Sequence, residues 1–412
     1  MSQFKCLSLM PLLLMLQACS PTASLEPRHQ ASGLNSQFNG EHLSFADYIL
    51  NSRAMIATTH QALNVTELNQ IIEGNSPFEM KPAASCPKGH GKPYHRGILL
   101  THGLTDSPYS MHKLAEFFQG NCFRVMAVLL PGHGTRPGDL LDVSWREWAK
   151  AEAYGTDKLA AEVDEVYLAG YSTGGTLSIY QSQKDSRVHG LFLFSPALKV
   201  SSLAAIANLH KVMSWAYPAA KWLDIRPDDD WYKYESFPAN AAAQIYSLTK
   251  EIDSQSQAQA VTIPIFAAAS QDDTTVDIPS TIRFMANMPN PSSKLVLYSR
   301  DLNNRPQGIA AEKLEMVSSV FPEQKILSSA HTAIVLASDD KHYGFKGEYS
   351  NCAHYYPEKM DQYRACKGHS EADFQGELTK NNLQQGVMRR LMYNPNFAAL
   401  EVSMKAFIDK LP

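Results

Sequence analysis

Gly170-Tyr171-Ser172-Thr173-Gly174 stands directly after an apolar run, Val166-Tyr167-Leu168-Ala169, and just before a helix-like run, Thr176-Leu177-Ser178-Ile179-Tyr180. A strand that turns into a helix through G-x-S-x-G is a nucleophile elbow, and that reading decides the fold. The reversal is sharp enough to force the central residue into a strained conformation, so Gly170 and Gly174 must carry no Cβ. Ser172 then sits at a helix N-terminus, where the peptide dipoles favour developing negative charge.

Outward from the elbow, short apolar runs alternate with helical stretches, at 97–101, 123–130, 165–169, 190–194, 263–269 and 294–298. Strands alternating with helices predict an α/β protein, a mostly parallel sheet with helices on both faces. The site of such a sheet lies at the carboxyl ends of its strands. Residues 197–260 exceed what the sheet needs and hold Trp215, Trp222 and Trp231 with Tyr217, Tyr232 and Tyr234, which predicts a helical cap over an apolar site. An extra helical layer with its own small core is the other reading of that stretch. Residues 338–386 read as a disulfide-stapled loop, and Phe397, Leu400, Met404, Phe407, Ile408 and Leu411 mark one face of a closing helix. The folded body is expected to span 45–412.

Upstream of the elbow, Gly97-Ile98-Leu99-Leu100-Thr101-His102-Gly103-Leu104 ends an apolar run in a His-Gly turn, and Pro131-Gly132-His133-Gly134 and Trp145-x-x-Trp148 follow. With the elbow, these stretches resemble the α/β-hydrolase superfamily, and within it the monoacylglycerol lipase and carboxylesterase branch, over roughly residues 94 to 300. The resemblance implies an oxyanion hole made by the backbone N–H groups of Leu104 and Thr173. It also implies the chain order serine, acid, histidine, so the early His102 and His133 are expected to shape turns. The family pattern G-x-x-D-x-x-V aligns with Ser270-Gln271-Asp272-Asp273-Thr274-Thr275-Val276 and makes Asp273 the acid, with Asp272 the next candidate; the other reading of Asp272 is a solvated turn residue or helix cap. The base should follow a further strand, and the run 325–330 ends at His331, 58 residues beyond Asp273. Of the later histidines, His342, His354 and His369 fall in the polar, Cys-bearing loop and are expected at the surface.

The chain has 412 residues, with 37 Lys+Arg against 41 Asp+Glu, so no basic footprint for nucleic acid is present. No apolar run approaches the ~20 residues of a membrane-spanning helix. The first nineteen residues have the layout of a secretory signal, and Leu16-Gln17-Ala18-Cys19 resembles a bacterial lipobox. That reading gives a signal at 1–18, acyl chains on Cys19, a flexible tether over 19–44, and a place in the bacterial envelope. Ser20 after the Cys implies the periplasmic face of the outer membrane. In an exported chain Cys86, Cys122, Cys352 and Cys366 predict two disulfides with three possible connectivities, of which Cys86–Cys122 with Cys352–Cys366 is favoured. No metal, nucleotide or flavin motif occurs, and no cofactor is expected. The functional expectation is a serine hydrolase of apolar acyl esters, such as a monoacylglycerol or lysophospholipid. The alternatives are an amide hydrolase of the serine aminopeptidase kind and a catalytically silent lipoprotein that binds through the same scaffold.

Overall fold

The computed structural model describes residues 25–61, 63–200, 218–258, 261–368 and 373–411. The expected signal, the Cys19 attachment point, Trp215, Tyr217 and His369 lie outside the described residues. The strands in chain order are β1 (Phe78–Met80), β2 (Tyr94–Thr101), β3 (Phe123–Val128), β4 (Val163–Tyr171), β5 (Val188–Phe194), β6 (Trp222–Asp224), β7 (Phe237–Pro238), β8 (Ile265–Ser270), β9 (Lys294–Ser299), β10 (Leu314–Ser318), β11 (Phe374–Gly376) and β12 (Met388–Arg390). Eight of them form one sheet in the order β1-β3-β2-β4-β5-β8-β9-β10. Every pairing in it is parallel except β1 with β3. All six expected runs are strands of this sheet, while the short edge strands β1 and β10 had no comparable apolar run.

The central strands read as unbroken apolar runs because both faces are covered. On one face Trp148, Leu177 and Ile245 pack from the helices Trp145–Glu162, Thr173–Lys184 and Ala239–Ala258. On the other, Leu114 and Phe118 from His112–Gly120 meet Phe407 from the closing helix Phe397–Ile408. Phe407 lies edge-on to Phe192, with ring centroids 5.3 Å apart. Register aligns Thr101 with Gly170 and Gly170 with Leu193, so β2, β4 and β5 end level and release their loops side by side. Among the described residues no helix is long and apolar enough to cross a membrane.

Three expectations are corrected. The tether expected over 19–44 is, from Arg28 onward, packed on the body: Arg28 Nη1 donates to the Pro227 carbonyl at 2.8 Å, Asn35 Nδ2 to the His133 carbonyl at 2.7 Å and the Phe38 N–H to Glu147 at 2.9 Å, and the Phe38 ring is buried. A segment without apolar period can still be fastened by polar groups, and that fastening leaves no pattern along the chain. The run 325–330 is not a strand; the strand before His331 is β10, and Ile326 makes only isolated bridges to Phe321 and Gln375. His342 is not a surface residue, because its buried ring reaches Asp230 Oδ1 at 3.0 Å.

The disulfides are Cys86–Cys122 and Cys352–Cys366. The first joins the segments that precede β2 and β3, at the amino end of the sheet. The second ties the helix Met360–Lys367 to the segment around Ala353.

Candidate active site

Ser172 has φ +54° and ψ −114°, the strained geometry that the elbow demands of a non-glycine residue. A Cβ on Gly174 would run into the Thr101 carbonyl oxygen, so helix Thr173–Lys184 can come this close to β2 only through glycine. The Ser172 N–H donates to the Phe194 carbonyl at 2.9 Å and its carbonyl accepts the Ala197 N–H at 3.1 Å, which ties the elbow to the end of β5.

His331 heads a 3-10 turn, His331–Ala333, and its Nε2 lies 3.0 Å from Ser172 Oγ. Its Nδ1 lies 2.6 Å from Asp273 Oδ2, and both side chains are shielded from solvent. Asp273 is oriented in turn, since its Oδ1 accepts the N–H groups of Thr275 at 2.7 Å and Val276 at 3.1 Å. A carboxylate at Nδ1 favours the tautomer that carries its proton there and leaves the Nε2 lone pair facing the serine hydroxyl. Asp272 turns the other way, to Arg300 at 2.9 Å, and is not the solvated residue expected, because that ion pair holds its side chain largely out of water.

His102 receives the Leu130 N–H on Nε2 at 3.1 Å and places Nδ1 2.8 Å from the Gly103 carbonyl, which pins the turn leading to Leu104. Burial, together with neighbouring His133, pushes its pKa well below the usual imidazole value. Burial likewise brings His133 down to about 4, although its Nδ1 sits 3.0 Å from the Pro131 carbonyl. Both rings are neutral turn-formers at pH 7.

Ser172 and His331 open onto a cavity of about 690 Å³. Leu104 and Thr173, whose N–H groups are the expected oxyanion donors, line it beside them. Leu223, Phe237 and Ile245 from the 197–260 insertion form an apolar wall, and Tyr349, Leu378 and Arg390 come from the C-terminal segment. Its two carboxylates are engaged: Asp224 pairs with Arg226 at 2.7 Å, and Glu235 accepts from the Tyr349 hydroxyl.

Three buried groups around this site carried no sequence signal. The Tyr171 hydroxyl donates to the His331 carbonyl at 3.2 Å. Glu377 accepts the His331 N–H at 3.0 Å from 46 residues further on, and Arg390 pairs with it. Glu152 lies fully buried beneath the elbow, accepting the hydroxyls of Thr101 and, at 3.0 Å, Ser178, and burial raises its pKa to about 7.

A family model described as serine aminopeptidase S33, Hydrolase_4, matches residues 92–301. The chain is 25% identical over 186 residues to the thermostable monoacylglycerol lipase of Bacillus sp. (strain H-257), an alignment covering 44% of this chain and 71% of that protein. A solved structure from work on the metagenome-derived lipolytic enzymes LipS and LipT superposes with a TM-score of 0.46 at 21% identity, over 54% of this chain and 87% of that one. The monoacylglycerol lipase of Paleococcus ferrophilus does so with a TM-score of 0.40 at 19% identity, over 52% and 91% of the two chains.

Proposed function

The chain belongs to the serine aminopeptidase S33 family of α/β hydrolases, and from that membership we propose that it hydrolyses carboxylic esters of apolar acyl groups through an acyl-enzyme on Ser172. The observation that carries this reading is the unbroken hydrogen-bonded chain from Ser172 Oγ through His331 to Asp273 at the edge of an apolar cavity. His331 takes the hydroxyl proton as Oγ attacks the ester carbonyl, and Asp273 stabilises the imidazolium that forms. The N–H groups of Leu104 and Thr173 hold the oxyanion, where losing one donor typically costs ~10²–10³ in rate. His331 then protonates the leaving alcohol, and water releases the acid by the reverse proton path.

The family description makes amide hydrolysis the second reading. An aminopeptidase needs a free carboxylate for the substrate's α-ammonium, and Asp224 and Glu235 are both occupied, which favours a neutral acyl ester such as a monoacylglycerol. Hydrolysis of p-nitrophenyl esters over a series of acyl lengths, beside amino-acid anilides, tests this. Ester turnover that vanishes in Ser172→Ala supports the proposal, and faster anilide turnover overturns it in favour of the amidase. No turnover and no fluorophosphonate labelling would leave the silent scaffold. The lipobox-like Leu16-Gln17-Ala18-Cys19 supports a further part of the proposal, that acyl chains on Cys19 hold the enzyme to the bacterial envelope, at the periplasmic face of the outer membrane. A Cys19→Ser protein that still incorporates palmitate would overturn that part.

A further inference from the structure

Glu377 and Arg390 come from the C-terminal segment, outside the residues that the family model matches. Glu377 follows β11 and Arg390 ends β12, and the parallel register sets Gly376 opposite Arg390, so both side chains leave the same end of this small sheet. The Gln375 carbonyl accepts the Leu327 N–H at 2.8 Å, and the Thr332 hydroxyl donates to the Leu391 carbonyl at 2.7 Å, which lays the sheet along the segment that carries His331. Glu377 is completely buried. Its Oε2 accepts the His331 N–H and Arg390 Nη2, each at 3.0 Å, and its Oε1 accepts the Leu378 N–H at 2.8 Å and faces Arg390 Nε at 3.0 Å. Arg390 Nη2 also donates to the Thr275 hydroxyl at 2.6 Å, and Thr275 is the residue whose N–H orients Asp273.

We propose that Glu377 and Arg390 are positioning residues for hydrolysis, an ion pair that joins the loop of the acid to the loop of the base. The inference rests on the serine-hydrolase reading above. Asp273 and His331 lie on separate loops, and this pair bridges them through side chains, Glu377 to the His331 N–H and Arg390 to Thr275. A buried ion pair is a poor device for stability alone, since apolar residues of similar volume usually do as well. Apolar residues could not accept the His331 N–H or donate to Thr275. Burial works against the Glu377 carboxylate, but the charge of Arg390 and the hydrogen bonds from Arg390, His331 and Leu378 outweigh it and hold its pKa at about 2. The pair is therefore charged across the working pH range.

The charged and titratable groups facing His331 are Asp273 on the acid loop, Tyr171 at the end of β4, and this pair. Removing one member unbalances the field at the imidazole in a known direction. Glu377→Gln keeps an acceptor for the His331 N–H but leaves Arg390 uncompensated, so the acid limb of the kcat/KM profile moves to lower pH, by about one unit. Arg390→Gln leaves the carboxylate alone and moves the limb up by about as much. In the Glu377→Gln, Arg390→Gln double variant the limb returns while kcat stays about tenfold or more below the parent, because the loops are no longer joined. Arg390→Lys keeps the charge and hence the limb, but loses the fork that spans two acceptors, so kcat falls with KM within about twofold.

Thr275→Val covers the case in which the buried variants do not fold. Thr275 is exposed at the cavity lining, and the side-chain hydrogen bond that its loss breaks is the one to Arg390; kcat should fall about threefold with KM within about twofold. Parent kcat in Thr275→Val, limbs that move the same way in both single charge variants, or a rise in KM with kcat intact would each overturn the proposal. Absence of Ser172-dependent turnover in the parent would instead remove the hydrolase reading on which it rests.

Discussion

On the nucleophile side of the site, between β2 and β5, position is set by backbone. Ser172 is placed by a strand, a turn flanked by glycines and a helix, and its contacts to Phe194 and Ala197 are main-chain hydrogen bonds. On the base side, beyond residue 301, regular structure is scarce. His331 is placed by a 3-10 turn whose surroundings are fastened by side chains: Glu377, Arg390, the Tyr171 hydroxyl and the Thr332 hydroxyl. Backbone geometry follows from local sequence and repeats from one protein to another. Side-chain fastening depends on residues far apart in the chain and can be built in many ways, so this half of the site is the more particular to this protein.

The largest expected effect tests whether the two halves act as one unit. Ser172→Ala and His331→Ala should each lower kcat by about 10⁴–10⁶, and the double variant should lie no lower than either single one; additive losses in ester hydrolysis assays would mean that the two side chains do not share a step. The disulfides separate the halves next. Loss of Cys352–Cys366, with a 14-residue separation, should lower stability by about 3 kcal/mol, and loss of Cys86–Cys122, with a 36-residue separation, by at least as much. Only the first pair lies in the segment that lines the cavity and holds His331, so Cys352→Ser, Cys366→Ser should reduce kcat severalfold, while Cys86→Ser, Cys122→Ser leaves kcat near the parent at temperatures where both are folded. Equal kcat losses would erase the contrast between the two regions.

Glu152 sharpens it from the nucleophile side. Burial raises its pKa to about 7, so the acid is neutral in the folded state at pH values where the unfolded chain is already ionised. Its contribution to stability is whole below the ordinary glutamate value of 4.5 and is lost as pH rises through about 7, at about 1.4 kcal/mol per pH unit in between. Glu152→Gln should therefore gain stability relative to the parent as denaturation is measured from pH 5 to pH 7, and a constant difference would refute a buried neutral acid under the elbow. The smallest effect belongs to the cavity wall. Leu223 is 55% exposed yet lines the cavity, and Leu223→Ser should lower kcat/KM for long-chain esters about two- to fivefold while leaving short-chain esters unaffected.

The two regions were legible in proportion to how local their determinants are. The six central strands, the elbow and the favoured disulfide pairs could be read from runs and motifs within a few residues of one another, or from spacing, and Asp273 from the short pattern that the family resemblance supplied. The packing of 25–44, the burial of His342 against Asp230 and the irregular path of 325–330 could not, because each is decided by a partner at least about 100 residues away or by short bridges with no periodic trace. His331 was found by the order of the motif, while the reason for its placement, Glu377 with Arg390, shows no pattern in the sequence.

The sequence by itself determined the central sheet and the strained serine between glycines, while the order in which acid and base follow came with the family resemblance. The first two are consequences of side-chain period and steric exclusion at one turn, both of which act over a few residues. Only the tertiary structure decided that Ser172 Oγ, the two ring nitrogens of His331 and Asp273 fall within 3.0 Å of one another in series. That alignment depends on how buried charges and hydroxyls from distant segments satisfy one another once water is gone, which is a property of the packed molecule.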